Sequence, residues 1–323
     1  MPLPIPLRVV ILMPVRDDWA SAAELIRRLD PVLASEPCSI DVLIVDDGSL
    51  QPCDPADFQA DFAVIPKIRI LRLRRNLGHQ RAIAIGLVHV RQAMNCDAVM
   101  VMDADGEDTP EGALQLLRAY SGSGAVFAER TRRTESLVFQ FFYQLYRMLH
   151  LLLTGISVRV GNFSILPFSY LDTLVVMSEM WNHYAAALFR SGLRYSTTPI
   201  PRGHRIFGTS RMNFVSLTAH GISAISVFGD VVGVRLLILS VAGVVSLGAA
   251  IFAFAARSAS SGAVLSASWA AAIGVFIVIC IQIITMAVNF TFSMLSNRIN
   301  LTFIPLRDAE LFVAFARDLN CDE

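Results

Sequence analysis

Residues 99–105 read Val-Met-Val-Met-Asp-Ala-Asp, four apolar residues running straight into two carboxylates one residue apart. A run of that length without polar interruption suits a strand buried on both faces, as in a parallel sheet covered by helices. Similar runs occupy 8–13, 41–45, 68–73 and 125–128, several of them ending in acidic or Gly/Pro clusters. Helical stretches separate them. Asp17 or Asp18 can cap a helix that continues to Leu33, Asn76 and Gly78 precede one from about Gln80 to Met94, and Pro110 opens one through Ala119. Alternation of this kind predicts an α/β domain with a mostly parallel, Rossmann-like sheet, whose ligands bind outside the carboxyl ends of the strands. The polar clusters fall at those ends.

Each cluster carries chemistry. Asp103 and Asp105 offer oxygen ligands to a hard cation, and Mg²⁺ or Mn²⁺ held by one or two carboxylates completes its shell with water and diphosphate oxygens. Such an ion stabilises the negative charge on a departing nucleotide. Val45-Asp46-Asp47-Gly48-Ser49 places two carboxylates and a turn glycine after another strand, suited to a base or ribose. Arg75-Asn76-Leu77-Gly78-His79-Gln80 leads into a helix of small residues, Ala82, Ala84 and Gly86, where backbone can approach a ligand at a helix N-terminus.

Composition removes other classes. Lys and Arg number 27, as do Asp and Glu, so there is no overall basic field for nucleic acid. Five cysteines lie scattered without a C-x-x-C pair, which suits free thiols in a reducing compartment. Lys67 is the sole lysine and begins a strand, leaving Schiff-base chemistry without a candidate. The six histidines show no metal-binding spacing, although His204 sits inside an arginine-rich segment.

A hydrophobic content of 54% and a mean hydropathy of +0.54 exceed ordinary soluble usage. Residues 235–257 enclose a charge-free apolar stretch of membrane-spanning length, and 269–292 supplies a second after a small polar turn. Arg202, Arg205, Arg211 and Arg235 precede this hairpin and Arg298 and Arg307 follow it, against Arg257 alone in the connection. The positive-inside rule then predicts an integral membrane protein with both ends and the α/β domain in the cytoplasm, a placement that the lack of a signal-like N-terminus also favours. Segments 136–153 and 212–228 are expected to be interfacial helices or helices packed on the α/β domain. The predicted organisation is an α/β domain over 1–208, an amphipathic interfacial helix over 209–230, transmembrane helices over 231–256 and 263–292, and a cytoplasmic C-terminal tail over 293–323.

In order, Pro14, VDDGS at 45–49, RNLGHQRAIAIGL at 75–87, VMVMDADGEDTPE at 99–111 and RIFGTSRM at 205–212 resemble the family 2 glycosyltransferases of GT-A fold, and within them the polyprenyl-phosphate branch. The resemblance implies an inverting hexosyltransferase using a UDP- or GDP-sugar donor and a polyprenyl phosphate acceptor. It implies nucleotide binding by Pro14, Asp17, Asp18, Asp46, Asp47, Asn76, Gly78 and Asp103, and a metal and diphosphate site at Asp103 and Asp105. Glu107 falls where the branch usually has Gln, so a place beside the metal is expected for it. Arg130, Arg132 and Arg133, with Arg202, Arg205 and Arg211, are expected at the acceptor phosphate, where arginine forks suit phosphate oxygens.

Gly161-Asn162-Phe163-Ser164 departs from the Gly-Asp-Phe-Arg of many relatives. Asn162 cannot take a proton, which weakens a base-dependent mechanism but leaves it able to orient sugar or acceptor. A phosphate monoester arrives largely ionised, so it needs no strong base. Transfer to a lipid alcohol such as diacylglycerol does need one, and a catalytically silent membrane scaffold is the reading from a different class. A homo-oligomer is expected because relatives assemble and two helices expose much lipid-facing surface.

Overall fold

The computed structural model describes residues 6–130, 137–156, 160–208, 214–260, 267–299 and 303–319. The chain falls into two compact units. The first comprises 1–142, 158–227 and 302–323; the second comprises 143–157 and 228–301.

In chain order the first unit begins β1 (Leu7–Val15), α1 (Trp19–Leu33), β2 (Cys38–Asp46), β3 (Lys67–Leu73), α2 (His79–Ala93), β4 (Ala98–Val101), α3 (Pro110–Ala119) and β5 (Ala125–Arg130). These match the expected strands and helices to within a few residues. Helix α4 (Leu137–Thr154) crosses from the first unit into the second. There follow β6 (Val160–Pro167), α5 (Leu171–Leu174), α6 (Tyr184–Arg190), β7 (Tyr195–Ile200) and α7 (Phe214–Ser226). The chain then forms α8 (Gly229–Ser260) and α9 (Ala267–Ile299) before returning as α10 (Pro305–Asp308) and β8 (Val313–Asp318).

All eight strands join one sheet in the order β7-β5-β6-β4-β1-β2-β3-β8. Its centre, β4-β1-β2-β3, is parallel, while β6 runs antiparallel to β4 and β5, and β8 antiparallel to β3. Ile11, Met13, Val42, Ile44 and Met100 bury against α1 and α3 on one face; Val10, Leu12, Leu43, Val45 and Val99 bury on the other with Ile83, Leu87 and Tyr184. Both faces are dry, which is why the strand sequences are apolar throughout rather than alternating. Strand order reverses at β1, whose neighbours β4 and β2 both lead outward from it, and this opens a crevice at the carboxyl ends.

Pro14 lies in β1 opposite Val45, within the strand rather than the loop that follows. Met102 N–H donates to the Leu12 carbonyl at 3.1 Å, so even-numbered residues of β1 turn their backbone toward β4. The last rung with β4 is at Leu12, so the N–H that proline lacks falls beyond the partner strand and costs no ladder bond.

The C-terminal segment departs from expectation. The range 293–323 is not a tail: it completes α9, forms α10 and lays β8 along β3, with Arg69 and Asp318 paired at 2.7 Å. Its docking is apolar as well, through Trp181, Phe303 and Phe312, with Trp181 and Phe303 ring centroids 3.7 Å apart.

In the second unit α8 and α9 pack together, with Gly233 so near Thr291 that an added Cβ would sit 3.0 Å from its Oγ1. Helix α8 extends beyond the expected span at both ends and α9 beyond it at the C-terminal end, and Gly229–Ser258 and Ile273–Ser293 are long and apolar enough to cross a membrane. Ile238, Val245, Phe252, Val275, Ile281 and Phe292 point outward, as lipid would require. Arg235 donates to the Leu152 carbonyl at 3.0 Å and lies against Gly155, holding the end of α4 to α8. The expected interfacial segments are helical as α4 and α7, and α7 belongs to the first unit.

Candidate active site

Three loops meet beyond the ends of β1, β2 and β4. After β1, Asp17 takes a positive φ of 51°, and its Oδ1 accepts from Leu50 N–H at 2.7 Å and Gln51 N–H at 3.1 Å. Its own N–H donates to Ser49 Oγ at 2.9 Å. The loops after β1 and β2 are thereby latched before any ligand arrives.

The acidic turn is braced from within. Asp46 is fully buried, with Oδ1 accepting from Ser49 N–H at 2.8 Å and Oδ2 3.4 Å from Arg72. Asp47 accepts from Leu77 N–H at 2.6 Å and Gly78 N–H at 2.9 Å, capturing the loop that starts α2. Burial holds the Asp47 carboxyl above the usual carboxylate range, and the two amides only partly offset it. Gly48 is required here: its φ is +67°, and a Cβ would lie 2.5 Å from Asn76 N. Asn76 turns its Oδ1 onto Gly78 N–H at 3.0 Å, so Asn76, Gly78, Asp46 and Asp47 shape a single wall of the crevice.

Past β4 the chain coils tightly. Asp103 N–H donates to Asp108 Oδ2 at 2.9 Å, and Glu107 N–H donates to Asp105 Oδ1 at 2.9 Å. Burial first, and then the charge of Asp103, push the Asp105 carboxyl upward; Arg205 pulls it back only in part. Across from this coil the segment 202–208 is zipped to it by backbone, Gly203 N–H to the Glu107 carbonyl at 2.8 Å and Ile206 N–H to the Asp105 carbonyl at 2.9 Å. Gly106 permits that approach, with φ +89° and Ile206 Cγ1 only 2.4 Å from where a Cβ would sit.

Charges follow the backbone. The Arg205 guanidinium lies 3.0 Å from Asp18 Oδ2 and 3.4 Å from Asp105 Oδ2. Arg202 pairs with Glu107, its Nε 2.9 Å from Oε2, so Glu107 faces an arginine rather than the Asp103 and Asp105 pair. Asp18 stands at the N-cap of α1 without capping it through its side chain; its Oδ1 takes the Ser21 hydroxyl at 2.5 Å instead.

Antiparallel pairing of β6 with β4 brings the start of β6 to the end of β4, and Asn162 with it. Tyr184 N–H donates to Gln80 Oε1 at 2.7 Å, Gln80 Nε2 to Asn162 Oδ1 at 3.2 Å, and Asn162 Nδ2 meets His79 Nε2 at 3.0 Å. His79 Nε2 is also 3.2 Å from Asp103 Oδ1. Burial lowers the histidine pKa, but Asp103, and behind it Asp108 and Asp47, outweigh that and raise it. Ser164 is buried on the Asn162 carbonyl and the Tyr184 hydroxyl, at 2.9 and 2.8 Å.

Of the residues expected from sequence, Asp103, Asp105, Asn162, Asp17, Asp18, Asp46, Asp47, Arg202 and Arg205 therefore lie along one edge. Arg130 ends β5 opposite Ile200, at the root of the arginine segment. Arg132, Arg133 and Arg211 lie outside the described residues. His79 and Gln80, read in the sequence only as the end of the motif leading into the helix, sit against Asp103 and Asn162; their place directly after Gly78 was the available signal. Among the described residues no three His, Cys, Asp or Glu side chains converge to cage a metal alone. Mg²⁺ does not demand such a cage, because one or two carboxylates suffice when substrate phosphates complete the shell, and Asp103 with Asp105 meets that requirement.

Residues 10–175 match the family described as Glycosyl transferase family 2. An uncharacterized glycosyltransferase YkcC of Bacillus subtilis is 25% identical over 226 residues, covering 67% of this chain and 68% of that protein. The undecaprenyl-phosphate 4-deoxy-4-formamido-L-arabinose transferase of Salmonella choleraesuis is 26% identical over 215 residues, covering 65% of this chain and 64% of the relative, just under two thirds of its length. A glucosyl-3-phosphoglycerate synthase from Mycobacterium tuberculosis, crystallised with Mn²⁺, uridine diphosphate and phosphoglyceric acid, superposes with a TM-score of 0.50 at 15% identity, over 70% of this chain and 79% of that one. At that identity the likeness speaks for the GT-A fold.

Proposed function

This chain belongs to glycosyl transferase family 2, and on that premise we propose that it moves a hexose from a UDP- or GDP-sugar to a polyprenyl phosphate, inverting the anomeric configuration at the surface of a membrane. One observation carries the reading: the strand-end carboxylates Asp103 and Asp105 share an edge with Arg202 and Arg205, so a site for a cation-borne diphosphate adjoins a source of phosphate-binding forks.

The wall made by Asp17, Asp46, Asp47, Asn76 and Gly78 binds the nucleotide, with Asp46 and Asp47 acting chiefly by fixing loop shape because their oxygens hold backbone amides. A Mg²⁺ or Mn²⁺ ion at Asp103 and Asp105 supplies Lewis-acid stabilisation of the leaving diphosphate. Asn162, locked by Gln80, orients the sugar or acceptor by hydrogen bonds and takes no proton. An ionised phosphate needs none removed, so positioning and electrostatics provide the rate. Glu107, paired with Arg202, is a brace for the arginine segment and a metal neighbour only if that pair opens.

Relatives whose names specify undecaprenyl phosphate support the acceptor, and two apolar helices support the membrane. Strands β7 and β8 precede and follow the helix pair yet share one sheet, which supports a reading with both ends of the hairpin on the same side. The arginine asymmetry supports the cytoplasmic side.

The test is a screen of UDP- and GDP-sugars against undecaprenyl phosphate with the full chain in detergent. One donor is expected to give ion-dependent release of nucleotide that chelator abolishes and Asp105→Ala reduces by about a hundredfold or more. Turnover by Asp105→Ala at the wild-type rate would show that the site is elsewhere.

A further inference from the structure

The arginine segment does more than line the site. Arg205 bridges Asp18, in the loop after β1, and Asp105, in the coil after β4, with its guanidinium 3.0 and 3.4 Å from their oxygens. Its side chain is only 24% exposed, and backbone bonds from Gly203 and Ile206 fix the segment on either side. Asp105 is thus already paired with a cation that belongs to the protein. Two cations cannot share that carboxylate edge at close range without repulsion, which in a partly buried site is weakly screened.

We infer that Arg205 is the resident counter-ion of Asp105 and is exchanged for the divalent ion, so that it is released toward the acceptor phosphate only once the ion is in place. This rests on the reading of Asp103 and Asp105 as the metal site and adds an order to it. With Arg205 on Asp105, its fork is engaged with the Asp18 and Asp105 carboxylates; with the ion there, the donor that faced Asp105 turns to the acceptor phosphate. An acceptor phosphate arriving before the ion therefore meets a site whose arginine is engaged. Arg202 does not share this role, because among the described residues its ion pair is with Glu107 and not with Asp105.

The exchange is tested by Mn²⁺ binding to the full chain in detergent without donor, read from the loss of the free-ion signal in electron paramagnetic resonance. Arg205→Gln is expected to bind Mn²⁺ about tenfold more tightly than wild type, and Arg205→Lys, which keeps the charge, to bind like wild type. Equal affinity of Arg205→Gln and wild type, with binding lost in Asp105→Ala, overturns the exchange while leaving the metal site intact. Mn²⁺ binding by Asp105→Ala at wild-type affinity overturns the site itself, and the exchange with it. A measurement on the unmutated protein guards against misfolded variants: Mn²⁺ is expected to raise the rate at which phenylglyoxal modifies Arg205, followed by mass spectrometry. An unchanged rate with Mn²⁺ bound contradicts the inference.

Discussion

Asp105 shows most plainly how function opposes stability in this site. Burial and the neighbouring Asp103 raise its carboxyl pKa above the usual range, so the folded protein binds that proton more readily than the unfolded chain. Its contribution to stability is therefore present in full below the ordinary carboxylate pKa and is lost as pH rises through the raised value. At neutral pH the ionised group is a net cost, in keeping with the proposed cation site. Asp105→Asn is accordingly expected to raise the thermal midpoint at pH 7, with a smaller gain near pH 4, while ion-dependent transfer disappears. Thermal unfolding in detergent at the two pH values checks this, and an unchanged or lowered midpoint at pH 7 would contradict it. At this scale the sequence was informative where chemistry is local: Asp103 and Asp105 adjoin on one strand end, and Asp46 and Asp47 on another. It was silent about Arg205 on Asp105 and Asp18, because nothing in a pattern of residues reports a contact made across 100 or 187 positions. The role of His79 was hidden for the same reason, since it opens α2 while its partner Asp103 lies in the coil after β4.

Among the elements, the central strands were legible because burial on both faces makes them uniformly apolar, and the helices between them because Asp18, Gly78 and Pro110 mark their starts. Strands β6, β7 and β8 were not. Tyr195–Ile200 is mostly exposed and polar, and Val313–Asp318 alternates weakly beside charges, so neither carries a hydrophobic signature. Their identity comes from partners far away in sequence. In β8, Leu319 N–H donates to the Ile68 carbonyl at 2.7 Å, so by alternation Arg317 also turns its backbone toward β3 and Ala316 turns away to the open edge. Arg317→Pro should thus cost about 1–3 kcal/mol by removing a ladder bond, measured against Arg317→Ala, whereas Ala316→Pro should cost less. Equal effects of the two prolines in a denaturant or thermal series would mean that β8 is not paired as described.

For the whole molecule, the pair of long apolar helices was readable from length and lack of charge alone, whereas the return of the chain into the sheet was not. That return ties β8 to β3, the strand that carries Arg72 toward Asp46, so the C-terminal segment supports the acidic turn after β2. The account as a whole claims that a lipid phosphate oxygen, already ionised, displaces a nucleoside diphosphate from a sugar with Asp105 charged and Asn162 accepting no proton. The most direct check is the product: incubate the full chain with its donor sugar, undecaprenyl phosphate and diacylglycerol together, extract the lipid, and determine linkage and anomeric configuration by mass spectrometry and nuclear magnetic resonance. The account predicts a glycosyl phosphodiester of undecaprenol with inverted configuration, formed one for one with nucleoside diphosphate and only with a divalent ion. Sugar on the diacylglycerol hydroxyl, or retained configuration on the phosphate, would contradict it.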